Sequence, residues 1–116
     1  MTREFIILPE FDKTWKKLGL SDNELRYLQQ YLCLYPDHGD IIPGTGGLRK
    51  LRWAIQGKGK SGGLRIAYVD FIIYEKIYLI TAYKKGEKDN FTKAECNEIK
   101  KLITILESEL KNKTIL

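Results

Sequence analysis

Residues 44–65, GTGGLRKLRWAIQGKGKSGGLR, carry six positive charges and no acid. Within them, LRKLRWAI alternates apolar and basic residues, a period of two that is typical of a β-strand with one buried face. LRIAYVDF and IYLITAYK, further along the chain, are interpreted as strands with the same period of two. The pattern predicts three sequential strands over about 48–56, 64–73 and 76–84, with short connections and therefore antiparallel neighbours.

Helices are indicated on both sides of these strands. REFIIL, residues 3–8, predicts a first strand, and Pro9 suits the first turn of a helix that Gly19 ends. SDNE at 21–24 is a capping box before a helix with an apolar stripe. Thr92 begins a second capping box before the last helix, whose apolar stripe is Ile99, Leu102, Ile103, Leu106 and Leu110. The order β-α-α-β-β-β-α predicts an α+β sandwich with an antiparallel sheet and helices packed on one sheet face.

Length and composition limit the classes of protein that fit. A chain of 116 residues with 43% hydrophobic residues is expected to form one domain, spanning residues 1–116. No apolar run approaches the roughly 20 residues that cross a bilayer, and the first residues do not resemble a secretory signal, so we expect a cytoplasmic protein without a membrane partner. His38 is the only histidine, and the two cysteines lie far apart. The sequence therefore predicts neither a metal site nor a cofactor.

The net charge of +5 is concentrated in residues 44–65, because the rest of the chain is nearly balanced. Such local basic character favours a surface for a polyanion. A solvated hairpin whose lysines and arginines prevent edge aggregation would carry the same charge, so charge alone leaves both interpretations open.

The strand pattern separates core residues from basic ones. Leu51, Trp53 and Ile55 of the first meander strand are expected to face the core. Lys50 and Arg52 then lie on the other face, roughly 6–7 Å apart along the strand. Arg65 opens the next strand, and Lys85 follows the third. The loop GKGKSGG has the glycines and lysines of a phosphate-binding loop but lacks the G-x-x-x-x-G-K-[ST] spacing, so it is either a basic flap over RNA or an ordinary hairpin loop.

GTGGLRKLRWAIQGKGKSGGLRIAYV, followed by IYLITAYKKGEK and a basic last helix, resembles the RelE/HigB superfamily of bacterial toxins, and the HigB-like branch in particular. The resemblance covers nearly the whole chain. It implies an endoribonuclease that cuts mRNA in the ribosomal A site and inhibits translation. It also implies a cognate antitoxin, expected to be a helix-turn-helix protein encoded beside it.

The same resemblance identifies the candidate site residues. The catalytic positions of the family fall on Lys50, Arg52, Arg65 and Lys85. Further basic residues are expected to contact RNA: Arg49, Lys58, Lys60 and Lys84. Some relatives use a tyrosine just before the final helix, where this chain has Phe91; Tyr83 is either a substitute or a packing residue.

Cleavage without histidine is chemically reasonable because RNA supplies its own nucleophile, the 2′-hydroxyl. Crowded positive charges favour the neutral form of an amine, so a lysine can act as a base, and Lys50 or Lys85 is the expected one. Arg52 and Arg65 would hold the phosphate oxygens with their planar forks. The alternative function is a non-catalytic RNA-binding module or a degenerate toxin kept as a partner protein.

Overall fold

The computed structural model describes residues 2–55, 63–88 and 90–114. The strands found there are β1 (Glu4–Ile7), β2 (Asp40–Ile41), β3 (Arg49–Trp53), β4 (Leu64–Phe71) and β5 (Lys76–Lys84). The helices are α1 (Pro9–Lys17), α2 (Asp22–Leu34) and α3 (Lys93–Thr114). The strands form one sheet in the order β1-β5-β4-β3-β2. Over the same residues, no helix combines the length and the apolar character that crossing a membrane requires.

The fold is α+β, as the sequence predicts, but its sheet is mixed. The meander β3-β4-β5 is antiparallel, and β2 extends it beside β3. β1 instead pairs with β5 in parallel, so the prediction of an antiparallel sheet is wrong at this edge. A short connection forces neighbouring strands to be antiparallel, whereas β1 and β5 are separated by most of the chain and are free of that constraint.

The prediction that the helices cover one face of the sheet is also wrong. α1 and α2 pack on one face, which we call the hairpin face, through Phe11, Trp15, Leu28 and Leu32. α3 packs on the opposite face, the α3 face, through Ile103 and Leu110. The physical reason is visible in β4, where consecutive residues from Ile66 to Val69 are all buried. A strand that buries both of its faces needs cover on both.

The pairing of β4 with β5 contains one irregularity. Ala67 pairs with Thr81 and the next residue, Tyr68, pairs with Leu79, so Ile80 is an extra residue in β5. Such a bulge bends the strand and increases its local twist. Leu79 belongs to the core on the hairpin face, and Ile80 belongs to the core on the α3 face.

The glycine-rich start of the basic segment is a structural turn. Thr45 is fully buried, and its hydroxyl donates to Ile42 O at 2.6 Å and accepts from Leu48 N at 3.0 Å. Gly46 and Gly47 have φ of 80° and 120°, in the left-handed region that favours glycine. These glycines therefore bring the chain past α3 and into β3.

Candidate active site

A basic cleft lies on the α3 face, beside the first turn of α3, where β3, β4 and the connection from β5 to α3 meet. It has a volume of about 240 Å³. Its lining residues are Asp40, Lys50, Arg52, Arg65, Lys85, Gly86 and Lys88. The structure thus brings together the four side chains that the sequence singled out as catalytic.

Two strands supply three of these cations. Lys50 and Arg52 point to the same side of β3 because side chains alternate along a strand. Arg52 lies directly opposite Arg65 in the β3–β4 register. Like charges placed opposite each other repel, and an anion bound between the two guanidinium groups would offset that repulsion.

A tight turn after β5 supplies Lys85. Its backbone N–H donates to Gly63 O at 3.0 Å, which holds the turn against the start of β4. Glu87 closes the turn, since its N–H donates to Lys84 O at 3.1 Å and its carboxylate accepts from Lys84 N at 3.1 Å. These bonds fix the backbone of Lys85 at the rim of the cleft.

Asp40 is an acid in the cleft lining that sequence reasoning missed. It lies opposite Lys50 in the β2–β3 register. The residue before it, Gly39, donates its N–H to the buried Tyr68 hydroxyl at 2.9 Å, and that hydroxyl donates to Pro36 O at 2.8 Å. A Cβ at Gly39 would lie 2.8 Å from the Tyr68 ring, so glycine is needed for this close approach. The two-residue strand β2 has no period that a sequence pattern could detect.

Other predicted RNA contacts lie elsewhere. Arg49 is on the opposite side of β3 from Lys50, and its guanidinium donates to Gly39 O at 2.7 Å and Asp37 O at 3.2 Å. It therefore holds the loop that leads into β2. Lys84 is exposed at the end of β5 and does not line the cleft. Lys58 and Lys60 lie outside the described residues.

Tyr83 and Phe91 form an aromatic support behind the cleft. Tyr83 lies opposite Arg65 in the β4–β5 register, and its ring meets Phe91 edge to face, with centroids 6.1 Å apart. Burial raises the pKa of the Tyr83 phenol, and the nearby charge of Arg65 partly opposes that rise. The phenol is therefore protonated at neutral pH, which suits a donor and not a base.

Lys88 is the fifth cation of the cleft, and sequence reasoning did not select it. Its ammonium forms an ion pair with Glu95 in the first turn of α3. The hydrogen bond from Lys88, followed by the one from Thr92 N, lowers the pKa of Glu95 below its ordinary 4.5. The one available signal was the density of lysines in the segment KKGEK before the capping box.

The fold and the cleft together define a small α+β protein with a cluster of cations on the α3 face of its sheet. The family model described as the RelE toxin of the RelE/RelB toxin–antitoxin system matches residues 9–115. The chain therefore belongs to the RelE toxin family. It is a toxin of a toxin–antitoxin system, and its partner is an antitoxin.

A solved structure has the same fold. An arginine-to-alanine double mutant of E. coli toxin RelE in the free state aligns with a TM-score of 0.53. The alignment covers 99% of this chain and 100% of that chain, at 15% sequence identity. This likeness concerns the fold, and the assignment to the HigB-like branch stays a prediction.

Proposed function

We propose that this toxin is a ribosome-dependent, metal-independent endoribonuclease that cuts mRNA in the A site. The observation that carries the proposal is the basic cleft, in which five cations line a small volume together with one acid. A phosphodiester is the ligand that such a cleft fits by charge and by the planar geometry of its two arginines.

The reaction needs three things from the cleft. The 2′-hydroxyl loses its proton and its oxygen forms a bond to phosphorus, while the bond from phosphorus to the 5′-oxygen breaks and that oxygen gains a proton. The products are a 2′,3′-cyclic phosphate and a 5′-hydroxyl. The cleft must therefore accept one proton, supply another and stabilise the negative charge that grows on the phosphate oxygens.

The positions of the side chains in the cleft suggest which part of the reaction each one serves. Arg52 and Arg65 lie opposite each other on the neighbouring strands β3 and β4, so both guanidinium groups can contact the same phosphate. Lys50 and Lys85 stand on different elements around that pair and are the candidate bases. Tyr83 supports Arg65 from β5. The ribosome would supply what the small cleft lacks, which is the splaying of the mRNA that aligns the 2′-oxygen with the scissile bond.

The test compares cleft residues with a lysine outside the cleft. Arg65→Ala and Lys50→Ala are each expected to lower cleavage of ribosome-bound mRNA over a hundredfold, since a preorganised donor of this kind is worth roughly 3 kcal/mol. Lys101→Ala is the matched control because Lys101 is on α3, paired with Glu98, and absent from the cleft lining. The measurements are mapped mRNA ends in vivo and cleavage by purified toxin on programmed ribosomes, with thermal melts for each variant.

Three outcomes would contradict the proposal. Full cleavage by a folded Arg65→Ala variant would show that the cleft is not the catalytic centre. Ribosome or RNA binding without any cleavage by the wild-type protein would favour the non-catalytic alternative, for which Phe91 is the motivating residue because its ring has no proton to donate. Cleavage of free RNA at the same rate would contradict the dependence on the ribosome.

A further inference from the structure

Lys88 contacts an aromatic ring, a carboxylate and the basic cleft at once, which is more than an ordinary surface ion pair requires. Its ammonium lies 5.2 Å from the centroid of the Phe91 ring and is paired with the Glu95 carboxylate. The side chain is 33% exposed and lines the basic cleft beside Lys85 and Gly86. The side chain is therefore partly covered and forms part of the cleft wall.

Glu95 is itself fixed by the start of α3. Its Oε1 accepts from Thr92 N at 2.8 Å, and its own N–H donates to Thr92 Oγ1 at 3.1 Å. This reciprocal capping box uses one carboxylate oxygen for the helix and leaves Oε2 for Lys88. A helix of 22 residues packed on the sheet thus provides a rigid base for the carboxylate.

A structural ion pair alone does not explain this arrangement. Exposed pairs of this kind contribute little to stability, about 0 to 1 kcal/mol in general. Placing a fifth cation beside four others has an electrostatic cost, which the carboxylate offsets. An ammonium group has three N–H donors, and an ion pair with one carboxylate oxygen leaves donors that can bind a second anion.

We propose that Lys88 is a further substrate-contacting residue of the basic cleft, where its ammonium binds a phosphate of single-stranded RNA, and that Glu95 is the positioning residue that holds it there. This inference rests on the proposed function, since it assigns a second phosphate contact to the same cleft. The Phe91 ring contributes by facing the ammonium, an attraction that is stronger where water is partly excluded.

The experiment measures binding of a short single-stranded RNA oligonucleotide by the whole chain over a range of salt concentrations. Each phosphate neutralised contributes about −0.7 to the slope of log K against log salt. Lys88→Ala and Lys88→Gln are therefore expected to make the slope about 0.7 less steep and to weaken binding several-fold, while Lys88→Arg restores both. Lys101→Ala is the matched control, because Lys101 is on α3 and paired with Glu98 outside the cleft.

Glu95 is tested without changing the net charge. Glu95→Asp keeps the carboxylate and its long-range field but withdraws it from Lys88, so weaker RNA binding reports lost positioning. The effect is expected in the wild-type background and absent in Lys88→Ala. Equal weakening in both backgrounds would show that Glu95 acts on α3 as a whole and would overturn its role.

The outcomes separate this inference from the proposed function. If Lys50→Ala and Arg65→Ala flatten the salt slope while Lys88→Ala and Lys88→Gln keep the wild-type slope, Lys88 is not a phosphate contact and only this inference fails. If none of these variants changes the slope, the cleft does not bind RNA phosphates and both proposals fail.

Discussion

Arg3 and Asp70 form an ion pair that lies almost entirely inside the protein. Arg3 Nε is 2.8 Å from Asp70 Oδ1 and Arg3 Nη2 is 3.2 Å from Oδ2, so the guanidinium binds the carboxylate with two parallel hydrogen bonds. The side chains are 3% and 5% exposed. The pair connects the residue before the edge strand β1 to β4, across the intervening β5.

Arg3→Met is expected to lower the free energy of unfolding by about 3–5 kcal/mol, because it leaves a buried carboxylate without its counter-charge. The double variant Arg3→Met/Asp70→Leu should recover most of that loss, since replacing both charges with apolar groups removes the desolvation penalty. Chemical denaturation of the wild type and the variants provides the measurement. A loss below 1 kcal/mol in the single variant would mean that water reaches Asp70 after the substitution.

Single residues were predictable from the sequence where a period governs them. The alternation of β3 correctly placed Leu51 and Trp53 in the core and brought Lys50 and Arg52 to a common side. It had no information on Arg3 and Asp70, which are separated by 67 positions and belong to no shared pattern. Asp40 and Lys88 were not predicted as cleft residues for a related reason. Asp40 lies in a two-residue strand and Lys88 in an irregular connection, and neither has a sequence period.

The helix α3 illustrates what periodicity determines about an element and what it leaves open. Its stripe of apolar residues was read correctly, and Ile103 and Leu110 are buried. The stripe identifies the side of the helix that is buried but not the face of the sheet that it covers. That choice depends on β4, whose residues are apolar on both sides and so demand a second layer.

Two isoleucines on α3 allow a matched test of this packing. Ile103 is 2% exposed and Ile105 is 57% exposed. Ile103→Ala is expected to cost about 2–5 kcal/mol because it leaves a cavity between α3 and the sheet. Ile105→Ala should change stability by about 0.5 kcal/mol or less. Thermal or chemical denaturation distinguishes them, and equal effects would contradict the packing of α3 on this face.

Across the whole molecule, buried tyrosines make the stability of the fold depend on pH in the alkaline range. Burial raises the pKa of Tyr68, Tyr78 and Tyr83 above their ordinary 10.0. For Tyr68, the hydrogen bond from Gly39 N partly opposes the rise. A raised pKa means that the folded state keeps the phenol protonated while the unfolded chain ionises. The stabilisation is therefore complete below pH 10.0 and is lost as pH rises through the folded pKa values.

We expect the melting temperature to fall as pH increases above 10.0, together with delayed phenolate absorbance in the folded protein compared with the protein in urea. Tyr68→Phe removes one of the three groups, so its stability should decline less steeply with pH than that of the wild type. Lysines titrate in the same range in both proteins, and the comparison cancels their contribution. Identical slopes would show that Tyr68 ionises as easily in the folded state as in the unfolded one.

The bulge in β5 has a consequence for how this chain can change its length. Leu79 and Ala82 both belong to the hairpin-face core although three positions separate them, which a regular strand does not allow. The extra residue Ile80 accounts for this spacing, and Tyr83 faces Arg65 and Phe91 on the α3 face. Because Leu79 already pairs with Tyr68 and Thr81 with Ala67, losing Ile80 would leave a regular ladder in which Tyr83 still lies opposite Arg65. A single-codon deletion at the bulge would thus shorten β5 while keeping the arrangement of the cleft, because it removes the one residue of this stretch that has no partner in β4.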